Sequence, residues 1–177
     1  QPIRSAALGS RFRRSTDGAK DPIEMPSPTA KSRSKARAAA RLAAVQALYQ
    51  QEMEKTPLPQ LLTEFHQHRL GATIEDVEYA DADPDFFDDI VKGVDARRDE
   101  IDALIASKLS SDWSFDRLDR PMRQILRAGT YELLARQDVP TGAAISEYLD
   151  VTAAFYDRRE KGFVNGLLDA IAKAVRS

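Results

Sequence analysis

Apolar residues recur along this chain with the α-helical period in six stretches. The first is expected from about Ser34 to Lys55, with Leu42, Val45 and Tyr49 on one stripe at i, i+3, i+7. Ser34 is its expected N-cap, because a serine hydroxyl can accept a free amide of the first turn. Leu58, Leu61, Leu62 and Phe65 mark a second helix. It restarts at Pro57 and Pro59, since proline fits a first turn and not a helix interior. A third and long helix is expected from Pro84 to Leu109, carrying Phe87, Ile90, Val91, Val94, Ile101, Leu104 and Ile105 inward. Asp83 and Asp85 favour its start by capping and by the helix dipole. Gly93 costs it roughly 1 kcal/mol against alanine, and its small size would permit a close helix crossing. The fourth begins near Asp119, buries Met122, Ile125, Leu126, Gly129 and Leu133, and is broken by Pro140. The fifth turns Ile145, Tyr148, Leu149, Thr152 and Phe155 inward. A polar loop, Tyr156 to Gly162, leads to the sixth, with Val164, Leu167, Leu168, Ile171 and Val175. Between the third and fourth, Ser110 to Leu118 forms a connector. Its Trp113, the only tryptophan, is expected to plug the joint between two halves of the molecule. No segment alternates like a strand. The fold class is all-α, with short connections that favour antiparallel neighbours.

The first 30 residues break this pattern. Pro2, Pro22, Pro26 and Pro28, scattered serines and few large apolar residues predict a disordered tail over 1–30. Its first 20 residues share the Arg- and Ser-containing, acid-poor character of a transit peptide, and the tail is the favoured reading. The net charge of −2 points to no partner, but its distribution does. Residues 1–41 hold 10 Lys/Arg and 3 Asp/Glu, a balance of +7, whereas 42–177 hold 16 and 25, a balance of −9. Such asymmetry suggests a basic arm that meets an anionic polymer. Arg33, Arg37 and Arg41 lie at i, i+4, i+8 and predict an exposed arginine row, whose planar forks of donors fit phosphate oxygens. A solvated helix face is the bland alternative. Arg11–Arg14 (RFRR) would add weak, non-specific attraction.

The remaining chemistry is mostly exclusion. The chain has no cysteine, which removes a disulfide framework, a thiolate nucleophile and thiolate-bound zinc, and fits a reducing compartment. It has no run of 18 apolar residues to span a membrane. His66 and His68, at i, i+2, point apart on a helix and read as surface residues. Glu75 to Asp89 holds 8 acidic residues and no basic one, but lacks the spacing of a calcium loop and reads as solvated. No glycine-rich phosphate loop, G-x-S-x-G or H-E-x-x-H occurs. No metal, cofactor or catalytic residue is expected; the chain reads as a binding protein.

Four segments together carry a resemblance: AVQALYQ at Ala44–Gln50, LDRPMRQILRAGTYELL at Leu118–Leu134, DVPTGAAISE at Asp138–Glu147 and FVNGLLD at Phe163–Asp169. In this order and spacing they resemble the transcription antitermination factor NusB family, over about Lys31 to the C-terminus. The resemblance implies two small helical bundles packed side by side, of about six to seven helices in all. The RNA-binding domain would span 31–177, with sub-bundles at about 31–109 and 118–177. It implies a cytoplasmic protein, not an enzyme, that pairs with the small-subunit ribosomal protein NusE on single-stranded boxA RNA. With other Nus factors and RNA polymerase, that complex supports transcription of ribosomal RNA operons. Some relatives self-associate, so the resemblance extends to a homodimer.

By resemblance Arg37 and Arg41 match RNA-contact positions and Gln46 and Tyr49 belong to the matching AVQALY segment, while Arg33 and Lys35, with Lys31, are expected to compensate just upstream. Ala38 and Ala39 stand where the family is often basic. Tyr49 would stack on an unpaired base, or else pack in the core. The NusE contact is expected from the loop before Phe163, through Asp157, Arg158, Arg159 and Glu160. Arg158 and Arg159 occupy positions that are usually acidic and Gly162 one that is usually basic, so the charge pairing there departs from the family. Asn165 is expected to fix the loop backbone, and Arg127 and Glu132 to serve structure. Two other readings remain. One is the NusB-like domain of a ribosomal-RNA cytosine methyltransferase, which expects a long catalytic domain beyond Ser177. The other is a purely protein-binding helical module.

Overall fold

The computed structural model describes residues 29–70, 73–74, 77–78 and 82–176. Residues 1–28 of the expected tail, with its RFRR cluster, and part of the acidic stretch lie outside the described residues, whereas Thr29 caps and Ala30 begins the first helix. Seven helices are found among the described residues: α1 Ala30–Glu54, α2 Leu58–His68, α3 Pro84–Ala96, α4 Arg98–Lys108, α5 Arg120–Ala135, α6 Thr141–Ala153 and α7 Arg158–Val175. A single 3₁₀ turn, Phe115–Arg117, precedes α5. A two-residue antiparallel pair, β1 Thr73–Ile74 with β2 Val77–Glu78, lies between α2 and α3. The all-α expectation holds, with one helix more than the periodicity predicts.

The extra helix comes from a break at Arg97, where the backbone leaves the helical region (φ −115, ψ 23). No glycine or proline marks it. The cause is tertiary: α3 packs on α1 and α5, whereas α4 packs on α5 and α7, so the chain changes partners there. Upstream, Gly93 acts as expected. A Cβ at that position would overlap the Tyr131 ring, so glycine lets α3 cross close to α5. Tyr131 then donates its hydroxyl to Asp89 at 2.8 Å.

The centre of the molecule is α5. It touches α1, α3, α4, α6 and α7, and Gln124 to Leu133 are buried without interruption. A helix buried on every side must satisfy its polar groups internally. Arg127 forks onto Asp102 of α4 at 2.8 and 2.9 Å, and Gln124 donates to Glu52 of α1 at 2.8 Å. The carboxyl end of α5 is held by Arg176, just past α7. Its guanidinium donates to the carbonyls of Glu132, Leu133, Arg136 and Val139 and to the Thr141 hydroxyl, at 2.7–3.1 Å. The Glu132 carbonyl also accepts the capping Arg136 amide and the Arg136 carbonyl the Val139 amide, so Arg176 reinforces a terminus that the backbone has already begun to close.

Four expectations are corrected. The cap of α1 is Thr29, whose Oγ1 accepts from Ser32 N–H at 3.0 Å; the helix therefore starts four residues early and includes Arg33. Trp113 does not plug a joint. It is 53% exposed and only leans on Phe163 with ring centres 6.5 Å apart, while Leu118 supplies the connector's burial. Phe155 lies beyond the end of α6 and stays exposed. Most of the expected loop 156–162 is the first turn of α7, and Asn165 sits exposed within that helix. His66 and His68 are on the surface as read, His66 Nε2 lying 2.6 Å from Asp88.

Candidate nucleic-acid interface

The basic start of α1 presents two faces. At about 100° per residue, Lys35, Gln46 and Tyr49 share one side of the helix, and Arg33, Arg37 and Arg41 lie on the other. The six expected contact residues therefore do not form one surface.

Along the arginine row, solvent exposure falls with each turn. Arg33 is exposed. Arg37 keeps a third of its side chain in solvent, with Nη2 3.7 Å from Asp138. Arg41 is 3% exposed and forks onto Glu132 of α5 at 2.8 and 3.0 Å, with Glu147 of α6 3.7 Å away. Glu132 itself is fully buried. Burial opposes charge on Arg41, but the Glu132 hydrogen bonds and charge outweigh it and raise its affinity for the proton. The local cause is the run of alanines. Ala40, Ala43, Ala44 and Ala47 are completely buried, and their small size draws neighbouring helices over the arginine between them. Arg41 is thus buried and paired where the arginine row was expected to be exposed, and reaching a phosphate would strand the Glu132 carboxylate in the core.

The row rests on Phe86 of α3. Three guanidinium carbons lie over this one buried ring, those of Arg37 at 4.6 Å, Arg136 at 4.9 Å and Arg41 at 5.0 Å from its centre. Asp83 caps α3 by accepting from Phe86 N–H, and donates its own amide to Ala36 of α1 at 3.0 Å, which seats the ring against the row. Arg136 in turn forks onto Asp138 at 3.0 and 3.1 Å and reaches Asp89 at 3.2 Å. The Arg136 hydrogen bonds hold the Asp138 carboxyl below the ordinary carboxylate range, with Arg37 adding to the effect. Phe86, Arg136 and Asp138 were not singled out from sequence. For Arg136 and Asp138 the only signal was a basic and an acidic residue two apart, between a helix end and Pro140.

On the opposite face, Tyr49 is 37% exposed, so it is not the core residue of the alternative reading. With Gln46, Met53, Arg69, Pro121 and Phe155 it lines a groove of about 480 Å³. Lys35 stands exposed on this side, ~21 Å along the axis from Tyr49. Cations at one end and an aromatic face at the other suit a strand whose phosphates and bases are bound separately.

The expected partner residues also divide. Asp157 and Arg158 are exposed at the start of α7. Arg159 and Glu160 line a cleft of about 390 Å³ with Trp113, Met122, Tyr156 and Phe163. Tyr156 lies 3.4 Å from Asp119 here, and burial, then Asp119, push its hydroxyl up to about 12. No cluster of three metal-ligating side chains is found among the described residues.

The sequence profile of the NusB family matches residues 38–173. A transcription antitermination protein NusB from Sphingopyxis alaskensis is 70% identical over 144 residues, covering 81% of this chain and 97% of that protein. Among solved structures, a T. maritima NusB is 29% identical with a TM-score of 0.63, over 77% of this chain and 90% of its own. A chain from a complex of the antitermination factors NusB and NusE with double-stranded RNA is 27% identical with a TM-score of 0.66, over 79% of this chain and 98% of its own.

Proposed function

The chain belongs to the NusB family of non-enzymatic antitermination factors, and from that premise we propose that it pairs with NusE on boxA RNA to support transcription of ribosomal RNA operons. The observation that carries this reading is the cationic start of α1, where Arg33, Lys35 and Arg37 keep access to solvent while the stretch from Ala40 to Leu48 is built largely into the core. Arg33 and Arg37 meet phosphates from one side. Lys35, Gln46 and Tyr49 continue the contact on the other, Tyr49 offering its ring to an unpaired base. Arg41 holds the helix and does not touch RNA. Asp157, Arg158, Arg159 and Glu160 face NusE, and the cleft beside Trp113 receives an apolar side chain of that partner. Other Nus factors and RNA polymerase join through the complex, in the cytoplasm. No helix among the described residues is long and apolar enough to cross a membrane, which is compatible with that setting.

The test is fluorescence anisotropy with a labelled boxA single strand, a scrambled strand and a duplex, with and without NusE, at two salt concentrations. We expect tighter binding to boxA, strengthened by NusE and weakened by salt with a slope of about −0.7 per phosphate contacted. Equal weak binding to all three RNAs, with no effect of NusE, would sink the reading. Binding of NusE with no RNA contribution from α1 would instead identify a protein-binding module.

A further inference from the structure

Asp138 stands between two arginines that face the proposed RNA surface. Its carboxylate is gripped by the Arg136 fork at 3.0 and 3.1 Å, and its Oδ2 lies 3.7 Å from Arg37 Nη2. Half of the Asp138 side chain is in solvent, so the place it fills is open to a ligand. Beneath it, Arg37 and Arg136 both rest on the Phe86 ring, and Arg136 keeps a second anchor in Asp89. The two guanidiniums would therefore hold their positions if the carboxylate left. The same anion geometry, two planar donors around one group of oxygens, suits a phosphate. The Arg37 contact is beyond hydrogen-bond length and the easier of the two to exchange.

Resting on the RNA-binding reading above, we infer that Asp138 is a built-in occupant of a phosphate clamp formed by Arg37 and Arg136. In the free protein it neutralises both arginines against indiscriminate anions, while Phe86 and Asp89 keep them in place. A backbone phosphate entering the clamp displaces the carboxylate from Arg37 first, and Arg136 becomes an RNA contact alongside the α1 residues. Asp138 thus restrains affinity, and binding at this point reads a phosphate placed closely enough to compete with it.

The experiment compares the wild type, Asp138→Asn, Arg37→Ala and the double variant Asp138→Asn/Arg37→Ala, by anisotropy with the labelled boxA strand across a salt series. The amide keeps the shape of the turn and loses the charge. Asp138→Asn should bind about two- to fivefold tighter at low salt, the range expected for releasing one exposed ion pair. Its plot of log affinity against log salt should steepen by about 0.7. Both gains should vanish in the double variant. A purely structural role for Asp138 predicts weaker binding, never tighter and more salt-sensitive binding, and thermal melts check that each variant is folded. Asp138→Ser replaces the amide if it disturbs the turn. Unchanged or weaker binding by the Asp138 variants, with Arg37→Ala weakening the wild type, overturns the clamp and leaves the RNA reading intact. Absence of RNA binding by the wild type overturns both.

Discussion

Arg37 and Arg41 are one helical turn apart on the same side of α1, and they live in different environments. Around Arg37 the helix has solvent on one flank and a single aromatic ring on the other, and its ionic partner is a half-exposed aspartate at 3.7 Å. Around Arg41 the helix is walled by completely buried alanines and its partner is a buried glutamate at 2.8 Å. A guanidinium in the first setting costs little to hold and little to release. In the second, its desolvation is offset only while Glu132 stays paired. One turn of α1 thus separates an arginine that can be offered to a ligand from one that belongs to the architecture, although both sit in the same basic run.

The strongest way to break this contrast is to cut the inner pair. Glu132→Ala should lower stability by roughly 3–5 kcal/mol in urea unfolding, because it leaves a buried guanidinium without its hydrogen-bonded partner and with only the looser Glu147 contact at 3.7 Å. Replacing both partners, as Arg41→Met/Glu132→Leu, should recover most of that loss. A double variant as unstable as the single would mean that the pair is not the determinant. A smaller effect comes from the seam where Tyr131 meets Asp89. Burial, then the Asp89 hydrogen bond and charge, push the Tyr131 hydroxyl from 10.0 up to about 12. The folded state then keeps a proton that the unfolded state releases. This contribution is complete below pH ~10 and is lost as pH rises towards ~12, on the order of 2 kcal/mol. Tyr131→Phe should flatten that alkaline decline in melts taken between these values. At the outer end, Arg37→Ala should change stability by no more than about 0.5 kcal/mol, while weakening RNA binding and reducing its salt slope by about 0.7. A large loss of stability from Arg37→Ala would erase the distinction between the two turns.

Much of the helical plan was readable because burial leaves a periodic trace. Leu61 with Phe65, Ile90 with Val91 and Val94, and Val164 with Leu167, Leu168 and Ile171 were placed inward from spacing alone, and all are buried. The break at Arg97 left no trace, since it is imposed by a change of packing partner and not by a local residue. The early start of α1 was missed because threonine and serine cap alike, and Thr29 and Ser34 both qualify. Arg41 was misread for a physical reason. A basic run looks solvated, and only the flanking alanines signalled that helices close over it. Glu132 offered the matching hint, an acidic residue within the buried stretch of α5. Tyr49 and Trp113 show the limit from the other side: apolar character says that a ring can be buried, and the surrounding helices decide whether it is.

The Arg176 grip on the end of α5 gives the fold a timing during synthesis. The groups it closes lie 35 to 44 residues earlier in the chain. At roughly 5–20 residues per second, a ribosome needs about two to nine seconds to cover that distance. Over that interval α5 and the turn into α6 have been made without the five Arg176 hydrogen bonds, and the helix end is held by its local backbone bonds alone. Arrival of one late arginine converts that loose end into a fixed one. The nascent protein therefore passes through a state in which its central helix exists before its terminus is closed.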